Sequence, residues 1–296
     1  MRTVAALLAV LFWSSNALAA KFALVDIDVF QILFFQFSAA FFALLGVSVL
    51  QKEHRVFSLS FYKVSTIIIG TMGVAATIFL QYLAFSYGSI LENNLIAYSW
   101  PLFVSLGAVF FLRGKNTTIR VFLALMGFVG TLLLLDKTGG FDAGNMLNLG
   151  ALFAFASAIT MAVYSIKAST LASPQTALIP ATFIGAVFSL VCLFFAGEFS
   201  WTLQPILISI YIGIGPMALG YYFWTYAMSG DGASRLAPLG YATPLLSTIV
   251  LLLSGEAYTE RTLLGMLIVL LSTTMTLMIS RKKIEVRPGC AMCTNE

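Results

Sequence analysis

Charge is what this sequence has least of. Of 296 residues, 9% are charged and 60% hydrophobic, whereas an ordinary soluble domain carries about 25% charged residues. So few charges cannot cover the surface of a water-soluble protein of this length. The mean hydropathy of +0.96 identifies lipid as the solvent for most of the chain. Histidine occurs once, as His54, and cysteine three times, too few for a metal centre or a disulfide framework. Cys290 and Cys293 form a lone C-x-x-C with no second pair and no nearby histidine, and Cys192 fills space in an apolar run. The phosphate-cradling loop G-x-x-x-x-G-K-S/T does not occur, so the chain hydrolyses no nucleotide for energy. No metal and no cofactor are expected. The 16 basic residues are spread along membrane-flanking stretches and read as a topology signal, which argues against a nucleic-acid partner.

What is present is a series of apolar runs. A bilayer core takes about 20 residues per helix, and runs of that length fall near 3–22, 29–50, 63–84, 91–112, 117–136, 146–167, 176–197, 203–227, 233–254 and 262–281. The expected fold is an all-α polytopic membrane protein with ten transmembrane helices. Arg2, an apolar run and Ala17-Leu18-Ala19 imitate a signal peptide, but Trp13, Ser14, Ser15 and Asn16 interrupt the apolar region, so the segment is expected to remain as helix 1. With the N-terminus inside, Lys21, Lys137 and Arg261 are the basic residues left outside. That bias predicts both termini in the cytoplasm.

The halves resemble each other at a fixed offset of 143 residues. Tyr98-x-x-Pro101-Leu102 matches Tyr241-x-x-Pro244-Leu245, and Gly70, Ala84 and Ser86 match Gly213, Ala227 and Ser229; Phe12 and Ser14 match Phe155 and Ser157. The division is residues 1–140 as a first five-helix repeat, 141–284 as a second, and 285–296 as a cytoplasmic tail. An odd number of spans makes the second copy enter the membrane from the opposite side. Inverted repeats are an architecture of secondary transporters, with the substrate site between the copies.

Five plus five helices, Phe12-Trp13-Ser14-Ser15-Asn16 with Lys21, the run Tyr98-Ser99-Trp100-Pro101, and Pro244-Leu245-Leu246-Ser247 followed by Gly255-Glu256 together resemble the drug/metabolite transporter superfamily, EamA type. The tyrosine–tryptophan–proline run is similar to that of its aromatic amino-acid exporter branch. The first half departs from the pattern in having Arg113-Gly114-Lys115 where an acidic residue often closes the motif. The resemblance implies a central cavity walled by helices 1, 3, 4, 6, 8 and 9.

Those helices also interrupt their apolar runs with polar side chains, which hydrocarbon disfavours. Substrate-binding candidates are Trp13, Ser14 and Asn16 on helix 1; Thr77, Gln81 and Tyr82 on helix 3; Asn94, Tyr98 and Trp100 on helix 4; Ser157, Thr160 and Tyr164 on helix 6; Trp224 on helix 8; and Tyr241 on helix 9. Helices 2, 5, 7 and 10 look plainer. Each candidate has a competing structural reading. Serine and threonine in a membrane helix bond their own backbone, terminal aromatics form interfacial belts, and Asn94/Tyr98 and Thr77/Gln81 share helix faces where they serve interhelical bonds equally well. Pro101, Pro216 and Pro244 read as kinks or as hinges. Ala154, Ala158 and Ala162 read as a close-packing face. Glu92 is the candidate coupling carboxylate, with a rim charge as the other reading.

The expected function is a secondary transporter of the bacterial inner membrane, exporting amino acids or related small metabolites by alternating access. Its partners are the lipid bilayer and a small-molecule substrate, and the chain is read as monomeric. The alternatives are a drug or metabolite permease with another substrate, or a membrane enzyme or assembly factor. The last class needs a nucleophile–base pair or paired carboxylates, and neither is visible.

Overall fold

The computed structural model describes residues 1–88, 90–111, 117–135, 148–196, 198–253 and 260–281. Among them the chain is helical, with no strand. Six stretches are long and apolar enough to cross a membrane: Arg2–Ala23, Val29–Leu50, Val64–Ser86, Leu149–Thr170, Gln175–Phe195 and Leu203–Met228. Thr118–Leu133 and Leu263–Ile279 are shorter apolar helices. Phe183, Val187, Phe188, Val191 and Phe194 on one long helix are exposed, an arrangement that only an apolar solvent accommodates.

Among the described residues, two helices begin on side-chain caps. Asp28 accepts from the Phe30 amide at 2.7 Å to start α3 (Val29–Leu50), and Asn148 accepts from the Ala151 amide at 2.8 Å to start α9 (Leu149–Lys167). Each cap satisfies a donor that has no partner within its helix. Helix 1 is not continuous. It breaks between α1 (Arg2–Trp13) and α2 (Asn16–Ala23), where Ser14 and Ser15 donate to the Leu11 and Phe12 carbonyls at 2.7 and 3.2 Å. Such bonds compete with the helical ladder.

Two other long helices carry a wider turn near their middles. A π segment, Thr71–Ala75, lies between α4 (Val64–Gly70) and α5 (Ala76–Ser86). Another, Gly213–Gly220, lies between α11 (Leu203–Ile212) and α12 (Tyr221–Met228) and contains Pro216. The glycines that open these turns, Gly70 and Gly213, are 143 residues apart. Both sit where backbones meet: a Cβ on Gly70 would strike the Ala177 carbonyl, and one on Gly213 the Gln36 carbonyl.

The stretches expected as single spans at 91–112 and 233–254 each come in pieces. The first divides into α6 (Ile90–Ala97) and α7 (Trp100–Phe111). The second runs through α13 (Gly232–Leu236), a 3₁₀ turn at Ala237–Tyr241 and α14 (Ala242–Leu253). This alters the reading of two prolines. Pro101 and Pro244 fall in the first turns of α7 and α14, where no backbone donor is required, so they start helices and do not kink them. Pro216 is a true interior proline, as is Pro180 within α10 (Gln175–Ala196), which the sequence reading passed over.

Packing joins the two halves throughout. The first-half helix α3 lies along α10 and against the second π segment, α5 lies on α9, α1 on α12, and α8 (Thr117–Leu135) on α15 (Glu260–Arg281). Ala154, Ala158 and Ala162 are buried on α9, as expected of a close-packing face. At one end Asp231 holds both Arg2 and Arg235, each at 3.1 Å, which places these two basic residues on the same side. Gln51 bonds Tyr222 at 2.7 Å and Gln175 at 2.8 Å. On α3's opposite end, Gln31 bonds the Ser200 backbone.

Glycine to alanine in a helix normally gains about 0.5–1 kcal/mol. Overpacking reverses the sign and costs about 1–3 kcal/mol. Gly70→Ala and Gly213→Ala should therefore each lower the melting temperature of the detergent-purified protein. Gly46→Ala, with nothing within 4 Å of its added Cβ, should leave it unchanged or raise it. Equal behaviour at all three positions would contradict the close approach at the π turns.

Candidate functional site

A cavity lies between the halves. From residues 1–140 its wall takes Trp13, Asn16, Gln36, Thr77, Gln81, Tyr82, Asn94, Tyr98 and Trp100, and from 141–284 Ser157, Met161, Ile212, Pro216, Met217, Tyr221 and Thr243; Ile78 and Ala97 complete it. About 70 Å³ is open to the centres of water-sized spheres. One water needs about 10–15 Å³ by that measure, so the cavity has room for a few waters.

The chemistry of the wall follows from how the bundle satisfies its polar groups. The Trp13 indole N–H donates to the Pro216 carbonyl at 2.9 Å, so the π turn of one half is held by a side chain of the other. At the first π turn Thr77 donates to the Gly73 carbonyl and shares a hydroxyl–hydroxyl bond of 2.8 Å with Thr160, while Ser157 donates to the Thr77 carbonyl at 2.9 Å. Asn16 accepts from the Tyr82 hydroxyl at 3.3 Å, and Asn94 accepts from Gln81 at 3.5 Å. Gln36 and Thr243 differ from these: both side-chain atoms of the Gln36 amide, and the Thr243 hydroxyl, are buried without a protein partner.

Three aromatic residues of the wall, Trp13, Trp100 and Tyr221, form a cluster with Trp224 behind them. Trp13 meets Trp100 edge-on at 6.1 Å and Trp224 at 5.2 Å, Trp100 meets Trp224 edge-on at 5.0 Å, and Tyr221 lies 5.3 Å from Trp13. These separations are those of favourable aromatic pairs. Two glycines make the room. A Cβ on Gly220 would strike the Trp13 indole, and one on Gly240 the Trp100 ring. Among the described residues, no charged side chain lines the cavity. In the loop after α3, Arg55 bonds Glu53 at 2.8 Å and holds that carboxyl below the usual carboxylate range.

The EamA-like transporter family matches residues 3–136 and again residues 148–278. This chain belongs to that family. A curated relative of the EamA-family chain, the aromatic amino acid exporter YddG of Ancylobacter novellus, is 30% identical over 191 residues, 64% of this chain and 67% of that one. A solved crystal structure superposes with a TM-score of 0.81 over 95% of this chain and 98% of the other. At 24% identity that likeness speaks for the fold. The protein is thus a multi-pass membrane protein of a transporter family, and the names of the family and of the relative are those of transporters and not of an enzyme.

Of the residues singled out from the sequence, Trp13, Asn16, Thr77, Gln81, Tyr82, Asn94, Tyr98, Trp100 and Ser157 are brought to the EamA-family cavity. Ser14 donates to the Leu11 carbonyl of its own helix and is not among the residues that line the cavity. Thr160 stands behind Thr77. Tyr164 is buried against Thr225 at 2.6 Å and Trp224 against Ser165 at 3.0 Å, so both support the wall without joining it. Tyr241 is buried in a separate cluster with Ala124, Leu245 and Val269. Pro216 lines the cavity. The side chain of Glu92 and the C-x-x-C of the tail lie outside the described residues. The sequence reading missed Gln36. Its signal was available, since Gln31 and Gln36 are the polar amides in an otherwise apolar stretch.

The supporting role of Trp224 is open to a double-mutant cycle. Losing one partner of a buried hydrogen bond costs about 1–3 kcal/mol. Trp224→Phe and Ser165→Ala should each lower the melting temperature, and the double variant should lose less than the sum of the two. Strict additivity would show that the two side chains do not act as a pair.

Proposed function

We propose that this EamA-family chain is a secondary transporter of the bacterial inner membrane that exports neutral amino acids, aromatic ones above all, by alternating access. One observation carries the reading: a cavity walled by tryptophan, tyrosine and carboxamide side chains, with no charged side chain among the described residues, lies between the halves. Aromatic faces suit a flat apolar group, and amides suit a polar group of no net charge. An anionic phosphate ester or a free cation would need a buried countercharge to offset its desolvation. The relative's name points to the same substrate class.

Alternating access rests on the proposed arrangement of ten spans as two inverted repeats, 1–140 and 141–284, followed by a cytoplasmic tail. Two successive family matches support it. The packing also supports it, because exchanging the halves maps neighbours onto neighbours: α5 on α9 becomes α12 on α1, and α3 on the second π segment becomes α10 on the first. The wider turns at the glycine pair Gly70 and Gly213 are the bends about which the halves move. Pro216, within the second turn, is the proline best placed to act as a hinge; Pro101 and Pro244 mark where α7 and α14 begin. The working unit is a single chain in the bilayer with both termini cytoplasmic, and Glu92 is its coupling carboxylate.

Counterflow in proteoliposomes tests the substrate. Preloaded phenylalanine, tyrosine or tryptophan should drive uptake of the labelled amino acid far better than glycine, lysine or glutamate. A chain that carries other metabolites and no amino acid is a permease of another kind. In the folded fraction, Trp100→Ala should weaken apparent affinity for aromatic amino acids by roughly three- to thirty-fold, an estimate from the worth of aromatic stacking and its conversion to affinity. Small neutral substrates should lose much less. Equal loss across all substrates would reduce Trp100 to a packing residue. Glu92→Gln should remove the effect of a pH gradient and leave gradient-free exchange in place; an unchanged pH effect would return Glu92 to the rim.

A further inference from the structure

Among the described residues of the wall, Gln36 is the carboxamide left without a partner. It is fully buried on α3, it belongs to the cavity wall, and neither its amide nitrogen nor its amide oxygen has a protein partner. The other carboxamides of the wall are engaged: Asn16 with Tyr82, and Gln81 with Asn94. An unmade hydrogen bond at a buried donor or acceptor costs about 1–3 kcal/mol, so Gln36 is retained at a cost to the empty protein.

Its unused capacity is specific. A primary amide offers two N–H donors and a carbonyl oxygen with two lone pairs. A group that gives and receives hydrogen bonds at neighbouring atoms satisfies it, and an ammonium beside a carboxylate is such a group. Among the described residues the remaining wall carries no charge. In that setting an isolated cation or anion keeps its desolvation cost, while a zwitterion brings its own countercharge.

We propose that Gln36 is a specificity-determining residue that binds the head group of the substrate, donating to the carboxylate and accepting from the ammonium. The inference rests on the transport reading above and adds the residue that selects a zwitterion over its singly charged or uncharged analogues. The Gln36 backbone is packed against Gly213 at the second π turn, and the present cavity of about 70 Å³ is small beside the roughly 300–1,000 Å³ of ligand pockets. Gln36 becomes reachable when α3 and that turn separate to admit the substrate.

The test is inhibition of counterflow by four compounds sharing a phenyl ring and differing in head group: phenylalanine, phenethylamine, 3-phenylpropionate and 3-phenylpropanol. The wild type should prefer phenylalanine over each of the others by tenfold or more. Gln36→Met and Gln36→Leu should reduce that preference to threefold or less while inhibition by phenylpropanol stays within twofold. Both variants should keep or raise the melting temperature, because they remove an unpaired buried amide; a structural Gln36 would make both melt lower. A preference for phenylalanine that survives in the variants overturns the role of Gln36 and leaves the transport reading standing. A wild type without head-group preference overturns this inference even if aromatic compounds are carried. Absence of counterflow with every amino acid overturns the transport reading and this inference with it.

Discussion

Lipid offers a polar group nothing to bond with, and the rest of this structure depends on that constraint. Every bend in a helix frees backbone atoms, and each must be satisfied from inside the bundle. The hydrogen bond from the Trp13 indole to the Pro216 carbonyl shows the consequence. Pro216 and the glycines around it open a wide turn in the second half, and a tryptophan from the first half closes it. The same residue that holds the turn is thereby fixed as part of the cavity wall. Bending, interhalf contact and the aromatic surface are one solution to one problem.

The two π turns are answered by different chemistry. The second receives an indole; the first is tied by the hydroxyls of Thr77, Thr160 and Ser157. Positions 14 and 157 are equivalent at the 143-residue offset, yet Ser14 bonds its own helix and Ser157 reaches across to α5. Different side chains at the two π turns give a cavity whose surroundings are not the same from the two halves. An amphipathic substrate with a ring at one end and a polar head at the other suits such a cavity.

Composition and hydropathy made the class of protein legible, because 9% charge permits no soluble alternative. Polar and aromatic interruptions on the helices that the family resemblance places around a cavity made part of the wall legible as well. Trp13, Asn16, Gln81, Asn94 and Trp100 stood out as polar or amphipathic groups in apolar runs, and they meet at the cavity. What the sequence could not convey was which way a side chain turns. Tyr164 and Trp224 look no different from Tyr82 and Trp100 as letters, but Thr225 and Ser165 give them partners away from the cavity. Gln36 was hidden by its helix, whose overall plainness masked one unpaired amide. Proline was misleading for a related reason: its effect depends on whether it falls in a first turn, as at Pro101 and Pro244, or in the interior, as at Pro216, and that boundary is set by packing.

The central claim is that the cavity between the halves is reached in turn from each side of the membrane. It is tested most directly with a cysteine-free variant carrying Thr243→Cys, since Thr243 is on the wall, reconstituted in sealed vesicles. A membrane-impermeant thiol reagent is applied to one face at a time, with and without saturating phenylalanine. The account predicts labelling from either face and protection by phenylalanine from both. Labelling confined to one face, with or without phenylalanine, would contradict it.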